Sequence, residues 1–284
     1  MRQREWDIEY KTPAQIGKMR AAGLLVAATL DKLREAVAPG VSTADLDALA
    51  EATIRAGGGI PSFLGYQGYP ASICSSVNSE IVHAIPNARA VLRDGDIISI
   101  DCGAIVDGWH GDSAITVPVG EVRPDVLGMA TAAEEAMWAG IAAAARGVRS
   151  GRGRLTDVSF AIQSAIRKAG KYGIVEGYGG HGIGSEMHQD PFVLNYGRPG
   201  RGPALVPGLC IAIEPMLTLG RAKTVELADG WTVVTADGSL AVHVEHTIAL
   251  MDDGVWVLTA PDGGQERLGP LVAQAARAES TAQA

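Results

Sequence analysis

The sequence predicts an α+β protein of two similar halves with a ligand site between them. Three observations carry this. A pair of helical segments opens the chain, and a second pair follows a β-hairpin near its middle. The residues after Gly170 read mostly as short strands. The second helix of each pair also carries a similar word: Ala44-Asp45-Leu46…Thr53-Ile54-Arg55-Ala56-Gly57 beside Thr156-Asp157-Val158…Ala165-Ile166-Arg167-Lys168-Ala169-Gly170. The match is loose and its copies differ by one residue, but ligand sites favour interfaces of this kind.

The elements follow in order. Thr12-Pro13 opens a long helix over Ala14–Val37: Thr12 can cap it, Pro13 fits its first turn, and Pro39-Gly40 stops it. Ser42 or Thr43 caps a second helix, Ala44–Ala56, ended by Gly57-Gly58-Gly59. A loop and strand region rich in Gly, Tyr and Ser spans Pro61–Ala84, and the hairpin spans 96–119. The second helical pair covers Asp125–Arg146 and Thr156–Ala169. Strands are expected at Leu209–Ile213, Trp231–Val234 and Ala241–Leu250. Residues 263–284, rich in Ala, Gln and Ser, read as a tail, partly disordered or a short helix.

The 284 residues suit one large domain or two small ones, and 47% hydrophobic with 20% charged residues is ordinary for a soluble globular protein. Net charge is −8, from 24 basic and 32 acidic residues, which argues against a general nucleic-acid binder. Cys74, Cys102 and Cys210 lie far apart without CxxC spacing, so neither a disulfide framework nor a structural zinc site is expected, and a reducing cytosol is. No stretch reaches the roughly 18 apolar residues of a membrane span, and the first residues lack the apolar region of a signal peptide.

The most informative stretch is Ile100-Asp101-Cys102-Gly103-Ala104-Ile105-Val106-Asp107-Gly108-Trp109-His110-Gly111-Asp112. Asp107-Gly108 is a two-residue hairpin signal, because both central positions of a type I′ turn need φ > 0. If Val106 pairs with Trp109, Asp101 faces Ala114 and Asp112 faces Gly103. Cross-strand partners share a face, so the two carboxylates become diagonal neighbours with only small residues opposite them. Such neighbours lie about 7–8 Å apart at the backbone, and carboxylates that close repel unless they share a proton or a cation. A bulge near Gly111 would shift this pairing by one. Aspartates beside a hairpin are often simply solvated. Here, however, Asp96-Ile97-Ile98-Ser99-Ile100 runs as an apolar strand straight into Asp101, and such a burial is usually offset by a charge or a metal.

The second half offers three more candidate ligands. His181 lies in Tyr178-Gly179-Gly180-His181-Gly182-Ile183-Gly184, a glycine-rich loop that strips bulk from around the imidazole. Glu214 ends the run Leu209–Ile213 before Pro215, and Glu245 interrupts the strand at 241–250. Each alone has a plain structural explanation. Together with Asp101 and Asp112 they make four carboxylates and one imidazole, a hard site suited to a pair of Mn, Fe, Co or Zn ions bridged by carboxylates. Such a pair generates hydroxide near neutral pH. His83 and His188 are either surface loop residues or hydrogen-bond partners for a peptide substrate beside that site.

This ordered set resembles the methionine aminopeptidases, in their bacterial type I form. The surrounding words match as well: Gly65-Tyr66-Gln67-Gly68-Tyr69-Pro70, Val77-Asn78, His83-Ala84-Ile85-Pro86, Gly95-Asp96-Ile97, Asp107-Gly108-Trp109-His110-Gly111-Asp112, Gly180-His181-Gly182-Ile183-Gly184, Ile213-Glu214-Pro215 and Glu245-His246-Thr247. The similarity runs from about Thr12 to Thr259.

The resemblance implies the pita-bread fold, two pseudo-symmetric halves around a central dimetal site. It also implies removal of the initiator methionine from nascent chains when the next residue is small. Carried over by position, Asp101, Asp112, His181, Glu214 and Glu245 ligate two divalent ions, with Asp112 and Glu245 bridging. Glu214 also shuttles a proton for the attacking water. His188 contacts the scissile amide, and His83 the substrate backbone on the leaving side. Phe63, Tyr66, Tyr69, Cys74, Met187 and Trp231 line the methionine pocket, whose large apolar walls suit an unbranched thioether. Met187 stands where an aromatic residue is common, and Gly103 where a hydroxyl residue is. His243 replaces a usual Gln and is expected to be either a partner of the ligands or, by a slight preference, a tolerated substitution.

The expected domain map is an N-terminal extension at 1–11, a catalytic domain at 12–262 and a tail at 263–284. The expected setting is a cytoplasmic monomer acting on nascent polypeptides, with the ribosome a candidate partner and neither a specific nucleic acid nor a membrane involved. Two alternatives are a proline-specific peptidase of the same fold and a non-catalytic peptide-binding relative. The first usually carries a further N-terminal domain, and loss of ligands would mark the second.

Overall fold

The computed structural model describes residues 6–283. Helix α1 (Pro13–Ala36) starts at Thr12, whose hydroxyl accepts from the Gln15 backbone while the Gln15 side chain accepts from the Thr12 backbone. Helix α2 (Thr43–Ala56) repeats the device with Ser42 and Asp45. Each cap satisfies backbone donors that a helix start otherwise leaves unpaired. The second pair is α3 (Pro124–Ser150) and α4 (Leu155–Ala169). Helix α3 runs past the expected Arg146 and stops at Gly151, where φ is 64°.

Strands β1 (Ile60–Pro61), β2 (Ile73–Val77) and β3 (Glu80–Val82) precede the hairpin strands β4 (Ile97–Val106) and β5 (Trp109–Pro118). After α4 come β6 (Gly173–Ile174), β7 (Gly180–Gly182), β8 (Gln189–Val193), β9 (Cys210–Ile213), β10 (Met216–Thr218), β11 (Thr224–Glu226), β12 (Val233–Thr235), β13 (Ala241–His243), β14 (Glu245–Met251) and β15 (Gly254–Val257).

The main sheet runs β1-β4-β5-β14-β9-β7-β8, with β2 also on β4 and β15 also on β14. Strand β14 of the second half thus pairs with β5 of the first, and the halves share one sheet. Helix α1 packs on β4 and β5, and α3 on β14 and β15. One apolar core joins α1 and α2 to β2 and β4 through residues such as Val26, Leu33, Ile54, Ile73 and Ile100. A larger one joins α3 and α4 to β9, β14 and β15. Ile98, Ile100 and Cys102 belong to the first core, so by strand alternation Asp101 and Gly103 face away from the helices.

The hairpin pairs as expected. Val106 faces Trp109, Gly103 faces Asp112 and Asp101 faces Ala114, in a register continuous from Ile97↔Pro118 onward. Asp107 and Gly108 take φ of 49° and 79°, as a type I′ turn requires.

Two strand expectations are corrected. The segment 241–250 is two strands, not one. Met216↔His243 and Ile213↔His246 belong to one antiparallel register, which carried through the gap sets Pro215 opposite Val244 and Glu214 opposite Glu245. Proline has no N–H to donate, so the ladder lapses there, although Val244 still donates to the Pro215 carbonyl at 3.4 Å. Trp231 and Thr232 belong to a turn in which the Asp229 carboxylate accepts from both backbone N–H groups at 2.9 Å.

The segment read as a tail, partly disordered or a short helix, is helical among the described residues, with α5 (Gln265–Leu268) and α6 (Gln274–Gln283). Its Leu268, Val272 and Ala276 are buried in the larger core. Of the expected extension, residues 1–5 lie outside the described residues, and residues 7–11 pack against the body. The Lys11 N–H donates to the Gly208 carbonyl at 2.8 Å. Its buried ammonium donates to Gln189 Oε1 at 2.8 Å, and Glu9 accepts from Ser185 and Gln189.

Candidate metal centre and its adjoining recess

Five neighbouring strands each bring one candidate ligand. Asp101 lies on β4, Asp112 on β5, Glu245 at the start of β14, Glu214 just past β9, and His181 on β7. Ala114 organises the first three. It pairs with Asp101 on one side and Glu245 on the other, so Glu245 joins the face that carries Asp101 and Asp112, and only a methyl group stands between. His181 lies in a strand rather than the expected loop. A Cβ on Gly180 or Gly182 would collide with the carbonyl oxygens of Ala212 and Asp190 respectively. These glycines therefore let the β7 backbone come close to its neighbours.

Asp112, His181, Glu214 and Glu245 are buried, and Asp101 is half-buried. His181 Nε2 lies 3.9 Å from Asp112 Oδ2 and 3.7 Å from Glu214 Oε1. His181 Nδ1 lies 2.9 Å from the Gly182 carbonyl. A carbonyl only accepts, so Nδ1 carries the hydrogen and neutral Nε2 keeps a lone pair for an ion. The backbone is tied down too: Thr247 Oγ1 donates to the Asp112 carbonyl at 2.7 Å, and Asn195 Nδ2 to the Glu214 carbonyl at 2.9 Å.

The site's electrostatics call for cations. Burial, reinforced by the neighbouring carboxylates, pushes Asp112 and Glu245 well above the usual range. Burial also raises Asp101, to about 7. Glu214 behaves differently: burial drives it up, but His243, then His181 and His188, together outweigh this and hold it below its ordinary value. Asp101 Oδ1, Asp112 Oδ1 and Glu245 Oε1 are buried without a hydrogen-bond partner. Buried carboxylate oxygens left without partners on one face of the sheet fit a divalent ion. Ligand atoms of Asp112, His181 and Glu245 lie within 4.8 Å of one another, and so do those of Glu214, His243 and Glu245. The two groups share Glu245; Asp101 belongs to neither, and His243, outside the expected ligand set, belongs to the second.

For His243 the structure follows the less favoured of its two expected roles, that of a partner. It is no bystander: its Nε2 lies 3.2 Å from Glu214 Oε2. The visible signal was its place two residues before Glu245, on the same strand face.

A cleft of about 530 Å³ opens over the carboxylates. It is lined by the candidate ligands, by His83 and His188, and by all six residues expected around a methionine side chain. Phe63, Tyr69, Cys74 and Met187 form a buried cluster there, with Tyr66, Ile85 and Trp231 packed against it. Tyr69 and Trp231 meet edge to face at 5.0 Å, and the Tyr69 hydroxyl lies 3.0 Å from the carbonyls of both Ile73 and Ala84. Cys74 pairs with Asp101 across β2 and β4. The recess and the carboxylates thus share one row of the sheet, Cys74-Asp101-Ala114-Glu245.

His188 Nδ1 lies 2.9 Å from the Tyr66 hydroxyl, and its ring is 4.3 Å from that of His181. His188 is exposed at the mouth of the cleft, yet the loss of water around its ring, then His181, pushes it down to about 4, and burial lowers half-buried His83 as well. His83 takes φ of 61°, a left-handed conformation that costs a non-glycine residue about 1–2 kcal/mol. Its ring meets Tyr178 edge to face at 5.9 Å. Tyr178, Gln189 and Phe192 also line the cleft. Sequence reasoning did not single them out, although Tyr178 adjoins the Gly179-Gly180 pair.

Comparisons with known proteins agree with this geometry. The family model described as metallopeptidase family M24 matches residues 17–252. The chain is 53% identical over 257 residues to methionine aminopeptidase 1 of Mycobacterium tuberculosis, covering 89% of this chain and 95% of that protein. It superposes on the crystal structure of methionine aminopeptidase from Rickettsia prowazekii with a TM-score of 0.84 and 40% identity, covering 89% of this chain and 100% of that one. An Xaa-Pro dipeptidase from Bacillus anthracis gives a TM-score of 0.68 at 22% identity. That likeness covers 89% of this chain but 62% of the other, and shows the shared fold alone.

Proposed function

This chain belongs to metallopeptidase family M24, as a methionine aminopeptidase of pita-bread fold that removes N-terminal methionine from peptides, and we propose how its residues divide that work. Enzymes of this kind use two metal ions. Asp101, Asp112, His181, Glu214 and Glu245 would hold them here. The ions supply Lewis acidity: they bring the pKa of water to about 7 and polarise a carbonyl.

The chain's own residues do the rest. Phe63, Tyr66, Tyr69, Cys74, Met187 and Trp231 receive the methionine side chain. Water adds to the first carbonyl carbon, Glu214 takes its proton, and the C–N bond breaks as that proton passes to the leaving amine. The products are free methionine and a peptide shorter by one residue. With the Tyr66 hydroxyl donating to Nδ1, neutral His188 keeps a hydrogen on Nε2 to donate to the scissile amide. His83 holds the substrate backbone on the leaving side. His83 and Tyr178 crowd that side of the cleft, which supports a small second residue.

One observation carries this reading: the recess and the carboxylates lie on adjoining strands of one sheet row. A methionine seated in the recess brings its own amide to the acidic cluster.

We assign this chemistry to the catalytic domain of residues 12–262, acting in the cytoplasm as a monomer on nascent chains, with the ribosome a candidate partner. The three free, buried cysteines support a reducing compartment. Among the described residues no helix is long and apolar enough to cross a membrane.

The test is release of free methionine from Met-Ala and Met-Gly peptides by protein supplied with Mn, Fe or Co. No release from either peptide under any of these metals would overturn the proposal. Cleavage of X-Pro dipeptides but not Met-Ala would favour the proline-specific reading.

A further inference from the structure

We propose that His243 is a positioning residue for Glu214, fixing which of its carboxylate oxygens faces the metal cluster; this rests on the metal-centre reading above. The two residues meet by register. Met216 pairs with His243, and the same register sets Glu214 opposite Glu245. His243 is then the diagonal neighbour of Glu214 on one face, within reach of a long side chain.

The two oxygens of Glu214 have different surroundings. Oε2 lies 3.2 Å from His243 Nε2, whereas Oε1 lies 3.7 Å from His181 Nε2. His243 is buried, and its Nε2 has no aligned hydrogen-bond partner. Glu214 Oε2, at 3.2 Å, is the acceptor within its reach.

The backbone that carries the imidazole is itself held from behind. The His243 N–H donates to Ser99 Oγ at 3.0 Å, and its carbonyl accepts from Thr116 Oγ1 at 2.7 Å. Ser99 and Thr116 are a facing pair on β4 and β5, the strands that carry Asp101 and Asp112. Glu214, from the second half, is thereby indexed to the first half's carboxylates. With Oε2 held, Glu214 presents Oε1 alone to an ion. Without that hold, both oxygens are free to bind.

The experiment compares His243→Leu, which has no donor, with His243→Gln, which keeps an N–H donor of similar reach. Three readouts are taken: Co²⁺ affinity by calorimetric titration, the visible spectrum of bound Co²⁺, and kcat and KM on a Met-Ala peptide. Outer partners of metal ligands typically contribute 10–100-fold. In His243→Leu, Co²⁺ affinity and kcat should therefore each fall by about that factor, with KM changed by less than about threefold. His243→Gln should restore both to within about threefold of wild type and leave the Co²⁺ spectrum unchanged.

Wild-type affinity and kcat in His243→Leu would overturn the proposal. So would equal losses in both variants with a changed Co²⁺ spectrum, which would make His243 a ligand. If the wild-type protein releases no methionine, the aminopeptidase mechanism fails, while the Co²⁺ measurements still decide the role of His243.

Discussion

Phe63 occupies the space that a side chain at position 103 would need. A Cβ on Gly103 would come within 2.8 Å of Phe63 Cε1 and 2.9 Å of Ser62 Cβ. Gly103 also pairs with Asp112, so one position touches both the recess wall and the carboxylates. Gly103→Thr should push Phe63 into the recess. Overpacking costs about 1–3 kcal/mol, so KM for Met-Ala should rise about 5- to 100-fold. An unchanged KM would show that Phe63 has room to retreat.

Glu214→Gln keeps the shape of the side chain and removes its capacity to take a proton. The kcat on Met-Ala should fall about 10²- to 10⁴-fold, the usual contribution of a positioned acid–base group. Metal analysis of the same sample separates loss of proton transfer from loss of ions. A kcat within threefold of wild type, about the limit of a conservative change, would exclude Glu214 as the proton carrier.

The segment at residues 7–11 braces the turn that carries Met187 and His188. Lys11→Met removes the buried bond to Gln189 and leaves that acceptor unpaired, a loss of about 1–3 kcal/mol. Both a lower Tm and a higher KM are expected, the latter read on Met-Ala. Glu9 adds a pH signature. Partial burial raises it, but hydrogen bonds from Gln189 and Ser185, with Lys11 nearby, outweigh this and bring it to about 2, below its usual 4.5. A depressed carboxylate stabilises the fold above the unfolded value and loses that contribution as pH falls. The Tm gap between wild type and Glu9→Gln should therefore shrink as pH is lowered from 4.5 towards 2.

The three thiols should be inert in the folded protein. Burial, only partly offset by Lys11, pushes Cys210 up to about 12. Burial and then Asp101 hold Cys74 and Cys102 well above the ordinary thiol range. The thiolate is the reactive form, so iodoacetamide at pH 8 should label none of them until denaturant is added. Mass spectrometry of native and denatured samples checks this.

The hairpin register was legible because its determinants are local: Asp107-Gly108 admits a two-residue turn, and that turn fixes every pair back to Asp101. The helix caps at Thr12 and Ser42 were legible for the same reason. Pro215 was visible in the sequence, but its effect falls on Val244, and nothing local names that partner. Likewise Gly180 and Gly182 announced close approach without saying to what. The packing of Val272 and the bracing by Lys11 depend on neighbours far along the chain, Val255 and Gln189. His243 was seen, but its contact with Glu214 follows only once β9, β13 and β14 share one register.

The five carboxylate and imidazole positions sit on adjoining strands, yet in the chain they run from Asp101 to Glu245. The ribosome makes them in order, and β14, which joins the two halves, comes near the end. A growing copy of this protein can fold its first helical pair and hairpin early, but it has no complete pocket for an ion pair until β14 has emerged. Catalytic competence thus comes late in synthesis.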